Sequence, residues 1–179
     1  QERRALLDRV GGAWQQPWVE VLRAYALTGL GSEDAFRRAG APDGLLDFAK
    51  CGLIDFDDVF VHQRDALASV RAGRNTAVTA GTGSGKTESF LLPIVASLLE
   101  ESTTWVGSSP VGSSWWRDAK GQWSAQRSAE TGRLPGIRAL VLYPMNALVE
   151  DQLVRLRRAL DSPPAREWLD LHRGGHRFY

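Results

Sequence analysis

The sequence predicts an α/β fold, the opening of a parallel sheet with flanking helices, preceded by a mainly helical N-terminal region. Three observations predict it. A β-branched run, "NTAVTA" at residues 75–80, feeds a glycine-rich turn and then a helix-forming stretch. A second apolar run, "IRALVLY" at residues 137–143, feeds a segment with apolar residues at helical spacing. Residues 1–58, by contrast, carry helix starts and stops. Strand, turn, helix, strand, helix is the order in which parallel α/β sheets begin. Two strands are fewer than a complete sheet needs, so the chain is expected to continue beyond Tyr179.

The elements can be justified in order. In "SEDAFRRAG" Ser32 is a candidate N-cap, acids fill the first turn, and Gly40 is the stop. "PDGLLDFAKCG" places Pro42 near a helix start and Gly52 past its end. "HQRDALASVRAG" reads as a helix closed by Gly73. The 75–80 run is expected to be a buried strand. The helix after the glycine turn should run from about Gly85 to Glu100, with Pro93 bending it. Residues 101–135, rich in Ser, Gly and Trp, show no period and read as an insertion. "NALVEDQLVRLRRAL" has Leu148, Leu153, Leu156 and Leu160 at helical spacing, with Arg155, Arg157 and Arg158 as a solvated face. "SPP" ends it at Pro163, and a short helix around "AREWLDLH" follows.

Composition bounds the function. At 179 residues with 43% hydrophobic and 24% charged, the chain is globular. A net charge of +1 leaves any nucleic-acid partner to a local basic patch. The single cysteine, Cys51, excludes an internal disulfide and points to a reducing, cytoplasmic setting. The longest apolar run, "FLLPIVASLL", is about half the length a membrane helix needs, so no membrane association is expected.

"AGTGSGKT", residues 80–87, carries the chemistry. Gly81, Gly83 and Gly85 let the backbone curl so that successive N–H groups point at phosphate oxygens. The helix that opens there presents its positive end to the same anion. Lys86 supplies a point charge for the β- and γ-phosphates, and the Thr87 hydroxyl is the expected Mg²⁺ ligand. A glycine-rich turn with an accidental lysine is the plain alternative, and a strand before and a helix after argue against it. Thr82, Ser84 and Glu88 complete the cofactor-binding stretch for ATP with Mg²⁺. Hydrolysis also needs a carboxylate at another strand end. "GLIDFDD", ending at Asp57 and Asp58, and "LVED", with Glu150 and Asp151, are the nearest candidates, and neither sits on a strand end.

Three segments in order resemble superfamily 2 DEAD/DEAH-like helicases: "VHQRDAL" is similar to the Q-motif region, "AGTGSGKT" to motif I and "LYPMNALVEDQ" to motif Ia. "GKTESFLLPI" with "ALVLYPMNALVEDQLVRL" is most similar to the Lhr/YprA-like branch and to the large helicases of phage-defence systems of the DISARM type. The resemblance implies a partial RecA-like domain over residues 59–179, with the insertion at 101–135, after an accessory helical region at 1–58. It implies an adenine contact by Gln63 and nucleic-acid contacts by Pro144, Asn146 and Gln152, where a helix cap and a solvated side chain are the plain alternatives. Phe60 is expected in the core and His62 in a structural role. It also implies single-stranded or duplex nucleic acid as partner, DNA before RNA, together with further helicase domains and protein partners of a defence complex. The Asp-Glu box and the second RecA-like domain would lie beyond Tyr179. The chain is therefore expected to bind nucleotide without hydrolysing it, within a parent ATP-dependent helicase or translocase. A non-catalytic interaction module and a P-loop NTPase unrelated to nucleic acid are the other readings. Four of the seven tryptophans, Trp105, Trp115, Trp116 and Trp123, fall in the insertion. Packing of the loop on itself is favoured over base stacking.

Overall fold

The computed structural model of the protein describes residues 3–5, 24–81, 83–106, 121, 133, 136–143 and 146–178, with the side chains of 146–148 outside the description. The helices that organise the described residues are α1 Ser32–Arg38, α2 Leu45–Lys50, α3 Val61–Arg71, α4 Lys86–Ser102, α5 Asn146–Asp161 and α6 Pro163–His172.

Helix α4 is the centre of the packing. It is apolar nearly all round, as a buried helix must be, and Leu91, Leu92, Val95, Ala96, Leu98 and Leu99 are all buried. Helix α3 lies along it, with Leu67 fully buried and Arg71 making two hydrogen bonds to Glu100 at 2.6 and 3.0 Å. Helices α1 and α2 supply Ala35, Phe36, Leu45 and Phe48 to the same apolar cluster, and α6 supplies Ala165, Trp168 and Leu169. Aromatic edges close one end: Phe48 meets Trp168 at 5.2 Å and Phe178 at 5.3 Å, and Trp105 meets Phe178 at 5.9 Å. Trp105 is thus a core residue, as the packing reading of the insertion expects. Trp115, Trp116 and Trp123 lie outside the described residues.

Helices α1 and α3 end at their expected glycines, whereas α1 does not start at its expected cap. Gly40 and Gly73 both stand at positive φ after α1 and α3. Ser32, however, does not cap α1. Gly31, at φ 77°, takes the N-cap position, and Ser32 becomes the first helical residue, buried, with its hydroxyl finding no hydrogen-bond partner. The start is fixed instead by a backbone bond from the Ser32 N–H to the Asp57 carbonyl at 2.8 Å. Gly52 does more than follow α2. A side chain there would collide with the Arg158 carbonyl, so the glycine is what lets the end of α5 approach. Ser162 ends α5 and caps α6, accepting from the Ala165 N–H at 3.3 Å while donating to the Cys51 carbonyl at 2.8 Å.

The sheet is the element that the described residues do not form. Residues 74–80 and 137–143 form neither helix nor strand and carry no ladder among the described residues. Asn75, Thr76 and Ala77 are exposed rather than buried, since burial of a strand comes from neighbours on either side. The 137–143 run lies beside α4, tied at one end by Arg138, which binds Glu101 at 2.7 Å, and at the other by an edge contact of Tyr143 with Phe90. Its apolar side chains are open: Ile137 is 87% exposed and Leu142 81%. The apolar face of α5 also differs from its periodicity. Ala159 and Gln152 are buried and Leu160 packs on the core, whereas Leu153 is exposed.

Candidate nucleotide-binding site

The glycine turn stands at the N-terminus of α4, with Gly83 at φ 74° and Gly85 at φ 70°. Left-handed backbone at both positions is what turns the chain inward on itself. Gly85 is also crowded: a side chain there would strike the Gln63 amide and would lie 3.2 Å from a Glu88 carboxylate oxygen. Gly81, Gly83, Ser84 and Gly85 form the turn and Lys86, Thr87 and Glu88 the first turn of α4, while Thr82 lies outside the described residues.

Lys86 lies back across the turn. Its ammonium donates to the Ala80 carbonyl at 2.6 Å and to the Gly81 carbonyl. A cation held by loop carbonyls is placed to exchange those partners for phosphate oxygens. Ser84, 1% exposed, pins the turn from within through its hydroxyl, which donates to the Gly81 carbonyl at 2.8 Å. Thr87 is half-buried in the first turn of α4.

Helix α3 holds the turn from the side. Gln63 is 1% exposed and both ends of its amide are engaged: Oε1 accepts from the Phe60 N–H at 2.9 Å, and Nε2 donates to the Gly85 carbonyl at 3.1 Å. In this conformation the side chain caps its own helix and clamps the glycine turn, rather than standing open. His62 adds a second tie, its Nε2 lying 2.7 Å from the Ser84 carbonyl, in keeping with the structural role expected of it. Phe60 is half-buried and stacks on His62 at 5.5 Å, with Tyr25 edge-on to both at 5.9 and 5.6 Å. Tyr25 also accepts a hydrogen bond from the Gly81 N–H at 2.7 Å. Sequence reasoning missed Tyr25, because no motif marks a tyrosine 56 positions from its partner.

Of the candidate carboxylates, Asp58 is the one held by several hydrogen bonds. Asp58 binds the Thr28 hydroxyl, the Gly29 N–H at 2.8 Å and the Val59 N–H at 2.8 Å. Partial burial works to raise its pKa, but these hydrogen bonds outweigh it and hold the carboxyl below its usual value. Asp57 is fully exposed and pairs with Lys50 at 3.6 Å, and Glu150 and Asp151 are exposed on α5. Glu88 is the acid set against the turn. It is 8% exposed, and Arg155 of α5 binds it. Arg155 is thus half-buried and paired across to α4, whereas Arg157 and Arg158 are exposed as expected.

The expected nucleic-acid contacts fare unevenly. Pro144 and the Asn146 side chain lie outside the described residues. Gln152 is 9% exposed, with its amide nitrogen on Asp151 at 3.1 Å and its buried oxygen unpartnered. It faces inward from α5 rather than outward. Nearby, burial chiefly raises the Tyr143 phenol pKa, with Arg155 opposing. Among the described residues no cluster of His, Cys, Asp or Glu could by itself hold a metal, so Thr87 stands as the protein's candidate ligand beside phosphate oxygens. No described helix is long and apolar enough to cross a membrane.

Residues 60–176, from the start of α3 to past α6, match the DEAD/DEAH box helicase family. The chain belongs to that family. It is also 34% identical over 166 residues, 92% of its length, to Druantia protein DruE of Escherichia coli (strain UMEA 4076-1). The chain spans 8% of that relative's length. No solved structure matches it significantly. The family has a RecA-like fold and uses ATP with a metal ion.

Proposed function

We propose that this chain is the ATP-binding portion of an ATP-dependent DNA or RNA helicase or translocase. The observation that carries it is the turn at 80–87. Two glycines at positive φ, a lysine drawn across the loop and a 17-residue helix opening directly behind it make an anion site of the kind phosphates take. Lys86 is assigned to the β- and γ-phosphates, Thr87 to Mg²⁺, and the N–H groups from Gly83 to Glu88 to the phosphate chain, the Gly81 N–H being taken by Tyr25. Bound ATP would supply the high-energy phosphoryl group. The chain's residues bind and orient it. The runs at 74–80 and 137–143 are assigned as strands of a RecA-like sheet spanning 59–179, with 101–135 inserted and 1–58 as an accessory helical region. Nucleic acid, DNA before RNA, is assigned to the 144–152 segment, on the strength of the family match. The resemblance to phage-defence helicases supports a place in bacterial defence, in the cytoplasm, beside further helicase domains and defence partners.

The isolated chain is expected to hold nucleotide without turning it over. Phosphoryl transfer needs a carboxylate to fix the metal and orient water. Here Glu88 is bound by Arg155 and Asp58 by Thr28 and Gly29, while Asp57, Glu150 and Asp151 are exposed and none of the five sits on a strand end among the described residues. ATP with Mg²⁺ should raise the melting temperature by mass action, and Lys86→Ala should remove most of the rise. Equal shifts in both proteins would defeat the assignment. Phosphate release that depends on Lys86, at ordinary enzyme rates, would show that a catalytic carboxylate is present after all.

A further inference from the structure

Glu88 and Arg155 lie 67 positions apart in sequence and meet through a direct charged hydrogen bond between the first turn of α4 and the middle of α5. Glu88 follows Thr87 in the same first turn of α4 that carries Lys86, and it projects from another side of the helix than the lysine that must meet phosphate. Its second oxygen lies against Gly85, which Gln63 also grips. Arg155 is one helical turn from Gln152, on the same face of α5, and it acts on the Tyr143 phenol at the end of the 137–143 run. The pair thus joins the phosphate turn to the segment assigned to nucleic acid. A carboxylate 8% exposed is a poor place for a charge without a partner, so the two groups are expected to move together.

We propose that Glu88–Arg155 is the strut through which nucleotide at the turn and nucleic acid at α5 affect each other's binding. This rests on the function proposed above. To meet a phosphate, Lys86 must leave the Ala80 and Gly81 carbonyls, and the first turn of α4 must adjust around it. Glu88 carries that adjustment to Arg155, and Arg155 carries it to α5. By linkage, whatever holds α5 feeds back equally on the turn.

The test uses the intact protein and measures ATP affinity with and without a single-stranded oligonucleotide. The oligonucleotide should tighten ATP binding in the unaltered protein by about 5-fold or more, within the usual range for coupled sites. Arg155→Gln should cut this to under about 2-fold, while ATP affinity in the absence of oligonucleotide changes far less than in Lys86→Ala. Arg155→Lys should retain most of the coupling, which a role in bulk packing would not predict. As a measurement independent of any variant, saturating ATP should alter hydrogen exchange at the α5 amides of the unaltered protein. Full coupling in Arg155→Gln, or α5 exchange indifferent to ATP, overturns the strut and leaves the proposed function standing. No effect of oligonucleotide on ATP in the unaltered protein overturns the strut together with the nucleic-acid part of that function, and absence of Lys86-dependent ATP binding overturns its nucleotide part.

Discussion

The two flanks of helix α4 are built differently. On one side, α3 and the phosphate turn are tied by side chains at every step: Gln63 to Gly85, His62 to Ser84, Tyr25 to Gly81 and Ser84 to Gly81. On the other, the 137–143 run is fixed at its ends by Arg138 and Tyr143, and between them Leu140 and Leu142 are 75% and 81% exposed. The first side is made of helices and a turn, which satisfy their own backbone groups over short stretches. The second is neither helix nor strand, and its N–H and C=O groups and side chains need neighbours supplied from elsewhere. The nucleotide grip can be finished locally. The surface assigned to nucleic acid cannot.

The largest expected effect separates the two sides by stability. Leu99 is fully buried on α4, and Leu99→Ala should cost about 2–5 kcal/mol. Leu142→Ala in the isolated chain should change stability by no more than about 0.5 kcal/mol, as for other exposed positions. If sheet neighbours cover residues 137–143 in the intact protein, Leu142→Ala there should approach the cost of a core substitution. Thermal melts of both variants in both forms decide it. An equally mild effect in the intact protein would mean that this run stays uncovered.

What was legible in the sequence follows the same line. Gly40, Gly73 and the turn at 80–87 act through backbone conformation within a few residues, and each stands where its pattern put it. Helices α3, α4 and α6 were equally plain, since their caps and apolar runs lie within the element. The contacts that make the site work were not legible. Tyr25, Gln63 and Arg155 reach partners 56, 22 and 67 positions away, and no local spacing encodes such distances. Ser32 shows the limit of local rules: a good capping residue is displaced when the preceding glycine takes a positive φ.

A middle-sized effect bears on Gln63. Removing its amide leaves the Phe60 N–H and one bond to the Gly85 carbonyl unmade inside the protein. Gln63→Ala should therefore cost about 1–3 kcal/mol. A clamp on the turn should weaken ATP and GTP alike, because phosphates are common to both. An adenine reader should narrow the gap between them instead. Titrating both nucleotides against the variant tells which of the two the side chain does when ligand is bound.

The smallest effect concerns the carboxylates, which also divide by flank. Asp58 is held by Thr28, Gly29 and Val59 and braces the entry to α3, whereas Asp151 on α5 is exposed. Hydrogen bonds lower the Asp58 pKa below its ordinary value of 3.8, despite some opposing burial. The unfolded chain therefore binds the proton more readily than the folded one. Asp58 contributes its stability in full above the unfolded pKa and loses it as pH falls through the lower, folded one. Acid melts of the unaltered protein should thus decline below about pH 4, the usual aspartate range. Asp58→Asn should be less stable at neutral pH and show a shallower decline. A decline equally steep in Asp58→Asn would move the acid sensitivity to other groups, with Glu101, held down chiefly by its hydrogen bond from Arg138, the first to examine. That outcome would put the acid-labile joint on the flank of the 137–143 run, and the contrast between a self-sufficient grip and a dependent surface would then be marked by pH as well as by packing.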